Sequence, residues 1–201
     1  MTTILAFQGD GFAVVSVDSR ISSMDDNGFA FQITTLGESS SKIAKNGKYL
    51  LGAAGDVRAI NILHHVFQPP IPPPATKGKK LDQFMTVKFI PALRECFETT
   101  GYASPDNDSK NHIAEHESTI VVVINACIYI IDGDYSWTSD KTGIYAVGTG
   151  SSYALGALHA MTGGRELSIV KAKNAVTKSL SIASKFDPYT GAPFQTFLQQ
   201  R

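Results

Sequence analysis

Two residues near the start of the chain have the types and spacing for nucleophilic chemistry. Thr2 follows Met1, and Asp18 stands sixteen positions after Thr2, opening the run Asp18-Ser19-Arg20. A threonine hydroxyl is a weak nucleophile unless a base sits beside it. Removal of Met1, which a small second residue such as Thr2 permits, turns the α-amine of Thr2 into that base. Its ordinary pKa of about 7.7–8.0 is close to working pH, where a general base is most effective. Taken alone, Thr2 reads equally as the second residue of a first strand, because short motifs arise often by chance. The rest of the chain must decide.

The elements that would position these residues follow from periodicity and turn chemistry. Thr3 to Gln8 reads as a strand, Gly9-Asp10-Gly11 as a hairpin turn and Phe12 to Asp18 as the returning strand. A polar stretch from Ser22 leads to an arm over Phe29–Leu36. Lys42–Lys45 and Lys48–Ala53 make a further pair about Asn46-Gly47, expected to hold φ > 0 at both turn positions. Gly55 opens a helix to about Phe67, with Ile60, Leu63 and Phe67 at helical spacing. Residues 68–80 carry five prolines in six positions and cannot continue it. A second helix spans Leu81 to about Thr99, with Pro91 as a bend point. Residues 101–117 are polar and loop-like. Strands follow at Ser118–Asn125, Cys127–Ile131 and Gly143–Val147, then helices at Gly150–Met161 and Leu167–Lys185, and a closing strand at Phe194–Leu198. Strands, two helices, strands, two helices and a strand is not a β-α-β alternation. It predicts an α+β four-layer αββα sandwich, two stacked, mainly antiparallel sheets flanked by helix pairs. The 201 residues fit one domain, 1–201, with a Pro-rich insertion at about 68–80.

Composition narrows the function classes. Lys and Arg total 18, as do Asp and Glu, so the formal net charge is zero. Nothing basic points to nucleic acid or an anionic membrane surface. Cys96 and Cys127 are the only cysteines, too few for a disulfide framework or a zinc site. No apolar run reaches membrane-spanning length and no secretory signal pattern opens the chain. The expectation is a cytoplasmic protein with reduced thiols.

Five pieces in order now resemble one family. They are Thr2-Thr3-Ile4 with Asp18-Ser19-Arg20; Lys42-Ile43; Leu50-Leu51-Gly52-Ala53-Ala54-Gly55-Asp56; Tyr145 to Ala154 (YAVGTGSSYA); and Asp187-Pro188-Tyr189-Thr190-Gly191. Together they resemble the proteasome β-subunit family, including the bacterial HslV-type peptidases, within the N-terminal-nucleophile (Ntn) hydrolases. The resemblance spans Thr2 to about Phe197. It implies a threonine peptidase that forms an acyl-enzyme on Thr2 and then hydrolyses it.

The resemblance also implies roles. Lys42, as a nearby ammonium, would favour the Thr2 alkoxide and depress the α-amino pKa. Asp18 would accept a hydrogen bond from Lys42. Gly55, where a strand meets a helix N-terminus, would offer a backbone N–H to the oxyanion. Thr149, Asp187 and Thr190 would orient the Thr2 amine. The family commonly has serine at the positions of Thr149 and Thr190; threonine keeps the hydroxyl but adds a methyl that stiffens χ1. Ser22 matches the position whose backbone pairs with substrate, and Val57 a wall of the pocket for the side chain before the cut. Arg58, on the same turn, is a candidate to point at solvent. The implied partners are unfolded polypeptide substrates, further copies in a homo-oligomeric ring or double ring, and an ATP-dependent unfoldase. The chain carries no P-loop, so any ATP use belongs to a partner. No cofactor is required, although relatives can hold a structural cation near the C-terminal helix end, close to Asp187.

Other candidates carry less. His64 and His65 are adjacent on a helix and are expected to face different directions. His112 and His116 are four apart with carboxylates nearby, a thin basis for a metal site. The proline run suits a surface insertion better than an SH3-type ligand. Two alternatives to the peptidase stay open: a catalytically inactive ring scaffold of the same architecture, and an Ntn amidase acting on a small molecule. A scaffold would not need Thr2, Asp18 and Lys42, and such amidases usually lack the Asp187–Gly191 piece.

Overall fold

Strands that are apolar at nearly every position must bury both faces, and the first two strands do so. In β1 (Thr3–Gly9), Ile4 and Ala6 enter one core while Leu5 and Phe7 enter another. In β2 (Phe12–Val17), Ala13, Val15 and Val17 join Ile4, whereas Phe12 and Val14 join Leu5. The alternation of side chains along a strand thus divides one sheet between two hydrophobic layers. The structure is a computed structural model that describes residues 1–24, 30–37, 40–105 and 114–201.

The hairpin β3 (Arg20–Met24) and β4 (Ala30–Thr35) pairs on itself. Then come β5 (Ile43–Asn46), β6 (Tyr49–Ala54) and α1 (Val57–His65). After the proline segment, α2 (Lys79–Phe84), a π-helical turn at Met85–Phe89 and α3 (Ile90–Thr99) form one continuous helical run. The short pair β7 (Ser104–Pro105) and β8 (Ala114–Glu115) leads to β9 (Thr119–Ile124), β10 (Cys127–Ile131), β11 (Trp137–Thr138) and β12 (Ile144–Gly148). Helices α4 (Ser151–Thr162) and α5 (Ile169–Ala183) and the strand β13 (Gln195–Gln200) complete the chain.

One sheet has the order β12-β1-β2-β13, the other β11-β10-β9-β6-β5, and their pairings are antiparallel. Between them lies a core of Ile4, Val15, Ile43, Val121, Val123 and Val147, among others. Helix α1 and the α2–α3 run cover the outer face of the second sheet through Leu63, Leu81, Phe89 and Phe97. Helices α4 and α5 cover the first through Leu158, Val176 and Leu180. This is the four-layer αββα sandwich the element order predicts.

Three local features have physical causes. The β5–β6 turn residues are Gly47 and Lys48, because Asn46 pairs with Tyr49. Only Gly47 has positive φ, at 57°, the pattern of a hairpin with glycine first. Asn46 instead ends β5, and its Nδ2 donates to the carbonyls of Leu63 and Phe67. Pro91 does not end the second helix. The π turn just before it lets the Ile90 N–H reach Met85 O, so the proline ring is taken up without a break. The proline segment is tied down by Tyr49, whose hydroxyl donates to Pro70 O, and by Asn125, whose Nδ2 donates to Pro73 O and Thr76 O. β4 falls within the arm expected over Phe29–Leu36, whereas β3, β7, β8 and β11 are strand segments that the sequence reading leaves out.

Candidate active site

Thr2 immediately precedes β1, and its neighbours clamp it through the backbone. Its carbonyl accepts the Thr149 N–H at 3.1 Å. A Cβ on Gly148 would lie 1.7 Å from the same oxygen, and Gly148 has φ of 94°, so only glycine fits where β12 approaches. Next along, Thr3 N–H donates to Asp18 Oδ1 at 2.9 Å. Thr2 is 3% exposed.

Asp18, at the end of β2, is a hub. Its Oδ1 accepts from Thr3 and from Lys42 Nζ at 2.7 Å. Its Oδ2 accepts the backbone N–H groups of Arg20 at 3.0 Å and Gly191 at 3.2 Å. Lys42 is 1% exposed, and its three protons go to Asp18, to Arg20 O at 2.5 Å and to Met1 O at 3.1 Å. Burial pushes the Lys42 pKa down, and the Asp18 charge and hydrogen bond pull it back up. Met1 O belongs to the peptide bond that joins Met1 to Thr2. The Met1 α-amine is also held low, by burial first and by Lys42 second, with Asp18 and Asp187 opposing. An amine at this end of the chain therefore sits in the field of Lys42.

A second cluster meets the first across Thr3. Asp187 Oδ2 accepts from Thr149 Oγ1 at 2.8 Å and from Thr190 Oγ1 at 2.5 Å. Thr190 Oγ1 lies 2.6 Å from Thr3 Oγ1, which also accepts the Gly150 N–H at 2.9 Å. Asp187 Oδ1 accepts the Tyr189 N–H. Thr2, Asp18, Lys42, Thr149, Asp187 and Thr190 are thus brought into one connected network, with both threonines in place of serine accommodated. Thr3 is the residue that sequence reasoning missed. It joins the two carboxylates' networks, and its only signal was the Thr2-Thr3 doublet.

Gly55 stands outside that network. It ends the β6 side of a turn with φ of 138°, and a Cβ there would strike Glu117 O and Ser118 Oγ at 2.6 Å. Asp56 caps α1, its Oδ1 accepting the Arg58 N–H at 2.8 Å. Ser22 lies on β3, two residues beyond the Arg20 carbonyl that binds Lys42, and its buried hydroxyl has no partner among the described residues. Val57 lines a cavity of about 290 Å³ with Ile21, Leu36, Ile60, His64 and His65. Arg58 is exposed, and its Nη2 donates to Thr100 O, just past the end of α3.

One expectation needs correction. His64 and His65 do not face apart: both line this cavity, with ring centroids 5.6 Å apart. His64 Nε2 is 2.8 Å from Ser41 O. Both oxygens of Asp187 accept hydrogen bonds from protein donors. Of the other histidine pair, His112 lies outside the described residues. His116 is buried among Phe97, Tyr102 and Tyr135. Among the described residues no group of three or more His, Cys, Asp or Glu could hold a metal, and no helix is long and apolar enough to cross a membrane. Both cysteines are free.

No family model matches the chain. An ATP-dependent protease subunit HslV from Campylobacter concisus is 26% identical over 200 residues, covering 98% of this chain and 97% of its own. The HslV subunit of a Nitratiruptor species is 28% identical over 193 residues, 94% of this chain and 92% of its own. Among solved structures, Thiobacillus denitrificans BPH matches with a TM-score of 0.73 at 18% identity, over 99% of this chain and 98% of its own. Eukaryotic HslV from Trypanosoma brucei matches over the full length of both chains with a TM-score of 0.63 at 16% identity. These structural likenesses establish the fold.

Proposed function

We propose that the chain is an HslV-like hydrolase of the N-terminal-nucleophile type, in keeping with its full-length similarity to HslV subunits, and that it is a threonine-type endopeptidase whose nucleophile is Thr2. The observation that supports this reading most strongly is the buried Lys42–Asp18 pair, 2.7 Å apart, with Lys42 also bonded to the carbonyl on the N-side of Thr2. A non-catalytic ring scaffold has no use for a lysine buried there, since burying an ion pair is a weak source of stability.

Once the Met1–Thr2 bond is cleaved, the freed Thr2 amine takes the proton of the Thr2 hydroxyl. The oxygen attacks the scissile carbonyl, and the amine returns the proton to the leaving nitrogen. An ester on Thr2 remains, and water activated by the same amine hydrolyses it. The Lys42 ammonium stabilises the developing alkoxide and keeps the amine neutral. Thr149, Asp187, Thr190 and Thr3 hold the start of β1 at the orientation this transfer needs. The Gly55 N–H serves the oxyanion, a contact worth about 2.7–4 kcal/mol in comparable sites. Substrate backbone lies along Ser22, and the side chain before the cut enters the cavity walled by Val57.

We read residues 1–201 as one unit acting in a homo-oligomeric ring or double ring. Its substrates are unfolded polypeptides, delivered in the cytoplasm by an ATP-dependent unfoldase. The relatives' description as ATP-dependent protease subunits supports that partnership. The test is hydrolysis of fluorogenic peptides by the assembled protein. Thr2→Ala abolishes it while assembly persists; a Thr2→Ala variant working at the parent rate overturns the reading.

A further inference from the structure

The turn that carries Gly55 is held from behind by a polar cluster that lies outside the Thr2 network. Ser118, just before β9, is its centre. Its Oγ accepts the Asp56 N–H at 3.1 Å and lies 2.7 Å from the Tyr102 hydroxyl. Its backbone N–H donates to His116 Nδ1 at 3.3 Å. Tyr102 and His116 are stacked, and Phe97 and Tyr135 meet the imidazole edge-on, with centroids at 5.1 and 4.8 Å. The backbone N–H of His116 is anchored in turn to Gly133 O.

This cluster fixes the turn in two ways. The Ser118 hydroxyl occupies the space where a Gly55 side chain would begin, at 2.6 Å. It also takes the N–H of the residue directly after Gly55, while the Asp56 carboxylate takes the Arg58 N–H. The peptide between Gly55 and Asp56 is therefore clamped on one side of Gly55, while the Ala54–Gly55 peptide, which carries the Gly55 N–H, is held on the other by the pairing of Ala54 with Thr119 beside Ser118. Ser118 is 3% exposed and His116 5% exposed, so water does not compete for these bonds.

From this geometry we infer that Ser118, oriented by Tyr102 and His116, is a positioning residue for the oxyanion-binding turn. The inference rests on the threonine-peptidase reading with Gly55 as oxyanion donor. A preorganised donor is effective only at the correct angle and distance, so loss of the clamp acts on the transition state rather than on substrate binding.

The experiment compares peptide hydrolysis by parent, Thr2→Ala, Ser118→Ala and Tyr102→Phe proteins, with inhibition by a peptide boronate. The boronate forms a tetrahedral adduct on the threonine oxygen and places a B–O⁻ group where the oxyanion lies. Ser118→Ala lowers kcat about 10- to 100-fold and leaves KM within about threefold. Boronate affinity falls by the same factor as kcat. Tyr102→Phe, which keeps the ring, gives a smaller loss of about three- to tenfold in both, and it carries the test if Ser118→Ala fails to fold. Parent-level kcat in the folded variants, or a fall in kcat with boronate affinity unchanged, overturns the inference. If Thr2→Ala hydrolyses peptide at the parent rate, the peptidase reading itself has failed. If Thr2→Ala is dead and Ser118→Ala is fully active, only the positioning role has failed.

Discussion

The Lys42 ammonium donates to the Met1 carbonyl at 3.1 Å, in the same peptide unit as the nitrogen assigned as the catalytic base. While the Met1–Thr2 bond is intact, that nitrogen is an amide and cannot accept a proton. Peptidase activity should therefore scale with the fraction of chains lacking Met1. Intact-mass spectrometry alongside labelling by a peptide epoxyketone, which needs both hydroxyl and amine, measures the two quantities. Labelling of chains that all retain Met1 would contradict the role given to the amine.

Removing the cation should be nearly as damaging as removing the nucleophile. Lys42→Ala is expected to lose at least about a thousandfold in kcat, and Thr2→Ala/Lys42→Ala should be no worse than Thr2→Ala, since members of one catalytic unit are not additive. It also leaves Asp18 buried without its partner, a loss of about 3–5 kcal/mol in comparable pairs. Kinetics with a denaturant titration separates the two effects. Lys42→Ala retaining more than a tenth of the parent kcat would sink the assignment.

Thr3 should matter through its hydroxyl. Thr3→Val preserves shape but leaves Thr190 and the Gly150 N–H each short of a partner. Unsatisfied buried groups cost about 1–3 kcal/mol, so the variant should melt earlier and hydrolyse peptide roughly tenfold more slowly. Thr3→Ser should recover most of the rate. Equal behaviour of the serine and valine variants would place the effect in packing instead.

Acid should weaken the fold through His116. Burial lowers its pKa, and Asp132 and Asp134 only partly oppose this. The folded chain thus refuses a proton that the unfolded chain accepts below the ordinary value of 6.5. The contribution is fully present above that pH and is lost as pH falls toward the depressed folded value. Unfolding free energy against pH should decline more steeply over this window in the parent than in His116→Phe. Parallel curves would exclude the imidazole as the cause.

Gly148→Ala should be poorly tolerated, because its methyl would overlap Thr2 O and φ is positive. Loss of activity with β12 still paired to β1 is the expected result, visible as retained circular dichroism with no hydrolysis. A fully active Gly148→Ala would show that the start of β1 can shift without consequence.

Much of the fold was legible because strands and helices come in blocks rather than in β-α-β alternation, an order that two stacked sheets with outer helix pairs satisfy. Thr2, Asp18 and Lys42 were singled out through the motifs that resemble the proteasome β-subunit family, and the structure places them in one network. The β3 strand was not legible, since Arg20–Met24 is polar and gains its order from pairing with β4. The Asn46-Gly47 turn slipped by one position because Asn46 is drawn to helix α1's end, a contact no dipeptide rule contains. Thr3 and Ser118 were invisible for the same reason: their partners lie far away in sequence, at Thr190 and Asp56.

β1 is an interior strand, flanked by β2 and β12, and the groups that seal its beginning come from the last third of the chain: Gly148, Thr149, Asp187 and Thr190. During synthesis these emerge late, so the first residues stay open to trimming until the end of translation is near. After closure Thr2 is 3% exposed, with Met1 O held by Lys42 and Thr2 O by Thr149, so trimming should be slower on the folded chain. Competence is then decided by a race between trimming and folding, and expression that outruns the trimming enzyme should accumulate well-folded, inert protein.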